Sequence, residues 1–154
     1  MADISVNDGK LITTEAAKWK GTPYKLIGSG SQKGVGADCS GTTQKIFEAA
    51  KCSYKYQMAS SFATYASGCG LFRELGPKDT KQDGDILSWS NHMAIYCSFA
   101  DDVTNATTSR LTKGHSWTQH NNMWTASHPD GPDYAPAELR YWRTDTPKVF
   151  RYQK

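Results

Sequence analysis

GVGADCSG, residues 34–41, joins a glycine-rich approach to a segment with helical periodicity. Asp38 is a residue type that caps helices, so we expect the helix to begin at Cys39. Unpaired backbone N–H groups and the positive end of the helix dipole favour thiolate over thiol at such a position. The same N–H groups can stabilise a developing oxyanion. This short segment therefore predicts a nucleophile together with part of its transition-state stabilisation.

Three helices are predicted in the first half of the chain. The helix after Cys39, CSGTTQKIFEAAKC, has Thr43, Ile46, Phe47 and Ala50 on one face with the cysteine, which predicts a core-packed helix. A shorter helix is predicted over TTEAAKWK, capped by Thr13 or Thr14 and ended by Gly21. A third is predicted over Met58–Ser67, with Met58, Phe62 and Tyr65 or Ala66 as its apolar stripe and Gly68 as its stop.

After Gly70 the pattern changes to short apolar or alternating runs that are typical of antiparallel strands: LFREL, DILSW, HMAIYCSF, VTNATT, LRYW and KVFRY. Helices first and strands later predict an α+β fold, with the helices packed on one side of a small antiparallel sheet or half-barrel. The segment between Arg110 and Pro136 is rich in His, Trp, Asn, Gly and Pro and has no clear periodicity. A loop of this length indicates a functional role.

Composition limits the class of protein. A chain of 154 residues fits one domain, which we expect to span residues 1–154. The net charge is +3 and the basic residues are scattered, so nucleic-acid binding receives little support. The N-terminal region lacks the continuous apolar core of a signal peptide or membrane anchor, and no stretch reaches a spanning length. We therefore expect synthesis in the cytoplasm without a signal peptide, and no membrane partner.

The cysteines and histidines give no metal-site pattern. Cys39, Cys52, Cys69 and Cys97 are too few and too irregularly spaced for a disulfide scaffold or for zinc-binding CxxC pairs, although one pair could oxidise in an oxidising compartment. His115, His120 and His128 have no helical pair spacing and no cysteine nearby. We expect no metal and no cofactor.

A cysteine nucleophile needs a base, and His92 is the best-placed histidine because it opens the strand HMAIY. His92, Ala94 and Tyr96 share one face of that strand. If the chain turns near residues 99–100, the next strand brings Asn105 across from Ala94, one diagonal step from His92. Asn105 is then the candidate for orienting the imidazole, and a small register slip would bring Thr107 there instead.

Four ordered elements carry a family resemblance: GTPY, DCSG opening a helix, DGDILSW and NHMAIY. Together they resemble the NlpC-type cell-wall cysteine peptidases, a papain-like family, from about Trp19 to the final strand. The resemblance implies that Cys39 is the nucleophile, His92 the base and Asn105 the third member, in the slot where the family has His, Asn or Gln. Tyr24 matches the family tyrosine near the nucleophile. Asp38 and Ser40 match positions that border the substrate peptide.

The chain departs from the family pattern at three places. Gln82 and Asp83 stand where the family usually has a proline before the GD pair, and Ala94 replaces the glycine of the family's HVGIY. The Trp-rich segment from Gly114 to Pro136 is longer than the family's minimal form, which leaves the cleaved bond open. Its Trp117 and Trp124 are either platforms for substrate or a small satellite core.

The resemblance implies a thiol amidase that hydrolyses amide bonds in peptidoglycan stem peptides or cross-links without a cofactor. A lone domain of this kind is also similar to the amidase effectors of type VI secretion, which are injected into a rival's periplasm and neutralised by an immunity protein. A phage endolysin could also consist of such a lone domain. The chain could instead be an acyltransferase or deamidase, or a non-catalytic module that binds the wall or an inhibitor. We expect a monomer whose partner is peptidoglycan.

Overall fold

The computed structural model describes residues 1–97 and 146–154, and the backbone of 123–127 and 131–135. Within these ranges helices precede strands, which confirms the predicted α+β order. The helices there are α1 (Val6–Ala17), α2 (Cys39–Ala49) and α3 (Ala59–Gly68), together with a 3-10 turn at Gly28–Gly30. The strands are β1 (Phe72–Glu74), β2 (Ile86–Trp89), β3 (His92–Tyr96), β4 (Met123–Ser127), β5 (Gly131–Ala135) and β6 (Lys148–Tyr152).

The strands of the described ranges form a single antiparallel sheet in the order β1-β6-β2-β3-β4-β5. The last strand, β6, returns to lie between β1 and β2. Strands β2 and β3 form a tight hairpin in which Trp89 pairs with His92 and only Ser90 and Asn91 lie between them. His92 is therefore held at the end of a rigid hairpin rather than in a long loop.

The two faces of the sheet differ in what covers them. Met93 and Ile95 of β3 belong to the main core, together with Phe47 of α2 and Phe62 of α3. The opposite face carries a smaller cluster of Leu87, Trp89 and Ala94, against which Tyr96 and Val149 pack. Because strand side chains alternate, this pattern puts the three helices on one side of the sheet, as predicted.

Aromatic rings fasten α2 and α3 to the sheet edge. Phe72 of β1 lies 5.2 Å from the ring of Tyr152 and 5.3 Å from that of Phe62, both in edge-to-face contacts. Phe47 lies 6.2 Å from Tyr152. Such pairs stabilise packing beyond the area that they bury. They fix the C-terminal half of α2 and so set where its N-terminal residue, Cys39, lies.

The predicted start of the first helix is wrong. The helix begins at Val6 because Ser5 forms a capping box with Asp8: the Ser5 hydroxyl accepts from the Asp8 N–H and the Asp8 carboxylate accepts from the Ser5 N–H. Thr13 does not cap. It lies inside the helix, buried, and its hydroxyl donates to the Lys10 carbonyl at 3.0 Å.

The third helix is present, but not all of the residues predicted for its apolar face are buried. Phe62 and Ala66 are buried as predicted, but Met58 is the N-cap and is 59% exposed. Gly68 is the last helical residue rather than the stop. The left-handed residue that ends the helix region is Gly70, with φ of 79°.

The predicted neighbour of β3 is also wrong. The sequence pattern puts residues 103–108 beside β3, whereas β4 pairs there through Ile95 with Trp124 and Tyr96 with Met123. Strands β4 and β5 arise inside the segment that has no clear periodicity. The predicted strands at 103–108 and 139–142, and Asn105 itself, lie outside the described residues.

An ionic network joins the N-terminal segment to the sheet. The Arg151 guanidinium donates to both Asp85 carboxylate oxygens at 2.8 Å and to the Thr80 carbonyl at 2.8 Å. Arg73 binds Asp3 at 2.7 Å and Asp79 at 3.0 Å. Burial raises the pKa of Asp85 even though Arg151 opposes it. Hydrogen bonds from Arg73 lower the pKa of Asp3 to about 2.

The Asp3 carboxylate is expected to make the fold acid-sensitive. Its pKa is 3.8 ordinarily and about 2 in the folded chain, so ionised Asp3 stabilises the fold above pH 3.8 and this contribution is lost as the pH falls towards 2. Urea unfolding midpoints should therefore decrease over that interval. Asp3→Asn should be less stable at neutral pH and should show a flatter acid slope than the wild type.

Glu74→Gln is the matched control, because Glu74 is exposed and has no ion pair among the described residues. An unchanged acid slope in Asp3→Asn would contradict the assignment of this stability to the Asp3 ion pairs.

Candidate active site

The Asp38 carboxylate organises the start of α2. Asp38 is 4% exposed and has an extended backbone, as an N-cap requires. Its Oδ1 accepts from the Gly41 N–H at 2.9 Å, and its Oδ2 accepts from the Gly28 N–H at 2.7 Å. The predicted cap is confirmed. One side chain thus closes the helix and holds the preceding loop against it.

Tyr24 lies next to the segment that leads into α2. The N–H of Ala37 donates to the Pro23 carbonyl at 3.0 Å, the N–H of Lys25 donates to the Ala37 carbonyl at 3.0 Å, and Tyr24 and Ala37 form a parallel bridge. Burial, and then the negative charges of the Cys39 thiolate and of Asp38, raise the pKa of Tyr24. The phenol therefore stays protonated, and remains a hydrogen-bond donor, above its usual range.

The loop from Gly28 to Ser31 packs on α2 at a glycine. A Cβ on Gly41 would overlap the Gly28 carbonyl and the Ser31 hydroxyl. That hydroxyl donates to the Gly28 carbonyl at 2.8 Å and accepts from the Asp38 N–H at 3.3 Å. Only glycine therefore fits at position 41.

Asp38 and Ser40, predicted to border the substrate, are both buried and bonded within the protein. The Ser40 hydroxyl lies 3.3 Å from the Asp38 Oδ1 and 2.9 Å from the Tyr56 hydroxyl. Tyr56 is half-buried, and no sequence pattern predicted its position here, because it follows an aperiodic stretch. The chain Tyr56–Ser40–Asp38 makes the first turn of α2 rigid.

Cys39 is distinguished from the other cysteines by its position. It is half-buried at the first residue of α2, whereas Cys52 and Cys97 are buried in the core. Burial raises the pKa of Cys52. Cys69 is also half-buried, but its thiol lies at the end of α3, 3.9 Å from the Ala66 carbonyl. All four cysteines lie in the described ranges and none forms a disulfide. Of these four, Cys39 is the one at a helix N-terminus, where a thiolate is favoured.

His92 is buried at the first residue of β3, with its ring centroid 5.8 Å from that of Trp89. Alternation places it on the Ala94 side, whereas the helices cover the side of Met93 and Ile95. Helix α2 nevertheless packs against β3 and β4.

The remaining predicted residues lie in the second half of the chain. Asn105 and Trp117 are outside the described residues. Trp124 belongs to β4, in register with Ile95 of β3 and Tyr134 of β5.

Within the described ranges, no group of three or more His, Cys, Asp and Glu residues is arranged to hold a metal ion. None of the helices there combines the length and the apolar character that a bilayer-spanning helix needs.

Comparisons with known proteins support the architecture. No family model matches the chain, and no curated protein matches its sequence. Among solved structures, the chain is similar to a protein of Staphylococcus aureus subsp. aureus Mu50 described as similar to a lipoprotein of the NLP/P60 family, with a TM-score of 0.61 and 21% identity. The match covers 98% of this chain and 43% of that one. This chain thus spans less than half of that protein's length, and the likeness confirms the predicted NlpC-type fold.

Removing the Asp38 carboxylate should loosen the site. We expect Asp38→Ala to lower the free energy of unfolding by about 2 kcal/mol, because the cap and the buried bond to Gly28 are lost together. Asp38→Asn should lower the free energy of unfolding by less, because its side-chain carbonyl oxygen still accepts from the Gly41 N–H. The bond to Gly28 is lost, because the asparagine NH₂ group then faces the Gly28 N–H. Urea unfolding measures both, and equal stability of Asp38→Ala and wild type would contradict this role.

Gly41→Ala should destabilise the chain by at least about 2 kcal/mol, because the new methyl group overlaps backbone that cannot move freely. Gly68→Ala is the matched control: it is also helical, and its Cβ would meet nothing within 4 Å. Alanine there should be neutral or stabilising by up to about 1 kcal/mol. Thermal unfolding of the pair separates steric exclusion from helix propensity, and similar shifts in both variants would refute the steric explanation.

Proposed function

We propose that this chain is a cysteine peptidase or amidase that hydrolyses amide bonds in peptidoglycan stem peptides or cross-links. The observation that carries the proposal is the half-buried Cys39 thiol at the first residue of a helix whose N-cap and adjoining loop are held by Asp38. The NLP/P60 fold supports the same reaction class. The assignment of wall peptides as the substrate rests on the sequence motifs.

In the proposed reaction His92 takes the proton of the Cys39 thiol, and the thiolate attacks the carbonyl carbon of the amide. The oxyanion accepts hydrogen bonds from the Cys39 backbone N–H and the Tyr24 hydroxyl. His92 then gives its proton to the leaving amine as the C–N bond breaks, which leaves a thioester on Cys39. Water, deprotonated by His92, cleaves the thioester and releases the carboxylate.

The protonated state of Tyr24 favours this role. An oxyanion needs a donor, and the raised pKa of this phenol keeps its proton in place at neutral and mildly alkaline pH. The negative charges at Cys39 and Asp38 help to raise that pKa, so the hydroxyl is electrostatically coupled to the nucleophile.

Asn105 is the proposed orienting group for His92, in the place where NlpC-type peptidases have His, Asn or Gln. The sequence motifs support this assignment. In the proposed reaction its side-chain oxygen accepts the second imidazole N–H and fixes the ring orientation.

We propose further that the chain acts on the wall of a target bacterium, as an antibacterial effector delivered by type VI secretion or as a phage endolysin. An effector would need an immunity protein in its producer. The sequence motifs support both forms equally, and periplasmic expression in a susceptible host, with and without the candidate immunity gene, separates them.

Cys39→Ala should reduce release of peptide fragments from purified sacculi by at least about a thousandfold while leaving the unfolding midpoint near that of wild type. Muropeptide analysis by mass spectrometry gives both the rate and the bond cleaved. Cys69→Ala is the matched control, because Cys69 has similar exposure and lies away from any helix N-terminus of the described residues. It should keep full activity.

Three outcomes would overturn the proposal. Fragments released equally by Cys39→Ala would exclude the thiol mechanism. Products that lack the added water would indicate acyl transfer, and no fragments from a wild type that still binds sacculi would indicate a binding module.

A further inference from the structure

A shallow recess lies beside the loop that packs against α2. It has a volume of about 410 Å³ and is lined by the loop residues Ser29–Lys33, by Trp19 just after α1 and by Lys45 of α2. Neither Trp19 nor the two lysines take part in the proposed reaction.

The recess carries two positive charges that no described carboxylate neutralises. Lys33 is exposed and Lys45 is half-buried, and no carboxylate of the described residues lies within ion-pair distance of either. The nearby Asp38 carboxylate faces the Gly28 and Gly41 N–H groups instead. Two like charges bordering one concave site favour an anionic ligand.

The uncharged groups of the recess include hydrogen-bond donors as well. Trp19 is only 6% exposed and lines the recess, and its indole N–H has no acceptor among the described residues. The Ser29 hydroxyl and the Gln32 side-chain amide also make no hydrogen bond within the described part of the chain. An indole N–H donates only, so Trp19 selects an acceptor.

From these groups we infer that the recess binds an oxyanion of the wall polymer, either a carboxylate of a stem peptide or a phosphodiester of an attached polyanion. The inference rests on the proposed function for the identity of the polymer. The ammonium groups of Lys33 and Lys45 supply the charge, and the indole N–H supplies a directed hydrogen bond.

The recess is separate from the nucleophile. Lys45 is six residues after Cys39, which is about 9 Å along the helix axis and on a different side of the helix. A group bound there cannot contact the thiol. Its effect is to hold the polymer near the enzyme, so occupancy increases binding to sacculi and leaves the rate on a short, free peptide unchanged.

The test measures binding of the inactive Cys39→Ala protein to sacculi, so that it does not depend on hydrolysis. Adding Lys33→Ala and Lys45→Ala together should weaken binding at low salt by about fivefold, with a smaller difference at high salt. Lys10→Ala with Lys78→Ala is the matched control, because it removes two exposed lysines that have no ion pair among the described residues and lie elsewhere.

Trp19→Phe keeps an aromatic ring and removes the N–H, and should weaken binding by about threefold.

Sacculi treated with hydrofluoric acid, which removes phosphodiester polymers, identify the source of the oxyanion. Binding that survives treatment and still depends on Lys33 and Lys45 supports a carboxylate, whereas binding lost on treatment supports a phosphate. Equal weakening by the control pair would overturn the proposal, as would unchanged binding of the Lys33 and Lys45 variant. If the otherwise wild-type enzyme released no fragments, the proposed hydrolysis would fail without affecting these results.

Discussion

Asp38 is a single buried carboxylate that satisfies two sets of backbone donors at once, and the geometry of the site depends on it. A helix start leaves N–H groups unpaired, and a loop that approaches it brings more. Asp38 accepts from Gly41 in the helix and from Gly28 in the loop. Because the same carboxylate serves both, the loop and the helix cannot shift independently. Cys39 is the first residue of this helix and follows the cap directly, so its backbone is fixed by the same carboxylate.

Contacts at the C-terminal end of α2 hold the whole helix, and therefore its N-terminus, in place. The C-terminal half of α2 is packed through Phe47 against the aromatic rings of β1 and β6. Those two strands are tied in turn to the N-terminal segment by Asp3, Arg73 and Arg151. The segment around Asp3 is thus part of the frame that orients the helix. The buried Asp85–Arg151 pair is satisfied by several hydrogen bonds, as a desolvated ion pair must be.

Sequence patterns predicted the α2 helix and the β3 strand correctly. They did not predict which strand pairs with β3, because that pairing joins residues far apart in the sequence. Asp38 before an amphipathic run predicted the cap and α2, and the alternation of HMAIY predicted β3, since both patterns act within a few residues. The neighbour of β3 could not be read in the same way. Pairing depends on which strand reaches the edge, and Val103 to Thr108 resembles a strand as much as Met123 to Ser127 does. Tyr56 was missed because its contact with Ser40 joins two segments that no periodicity relates.

The hydrogen bonds of the motif residues limit how they can act. Asp38 and Ser40 match positions that border a substrate, but the Asp38 oxygens are occupied by Gly28 and Gly41, and the Ser40 hydroxyl lies between Asp38 and Tyr56. A group that gave up one of these bonds to bind substrate would leave a buried donor unpaired, at a cost of about 1–3 kcal/mol. Asp38 and Ser40 therefore fix the position of Cys39 and offer no free polar group of their own. Tyr24 and Tyr56 differ from these two residues in being only half-buried, and the Tyr56 hydroxyl lies at the first turn of α2 through its contact with Ser40.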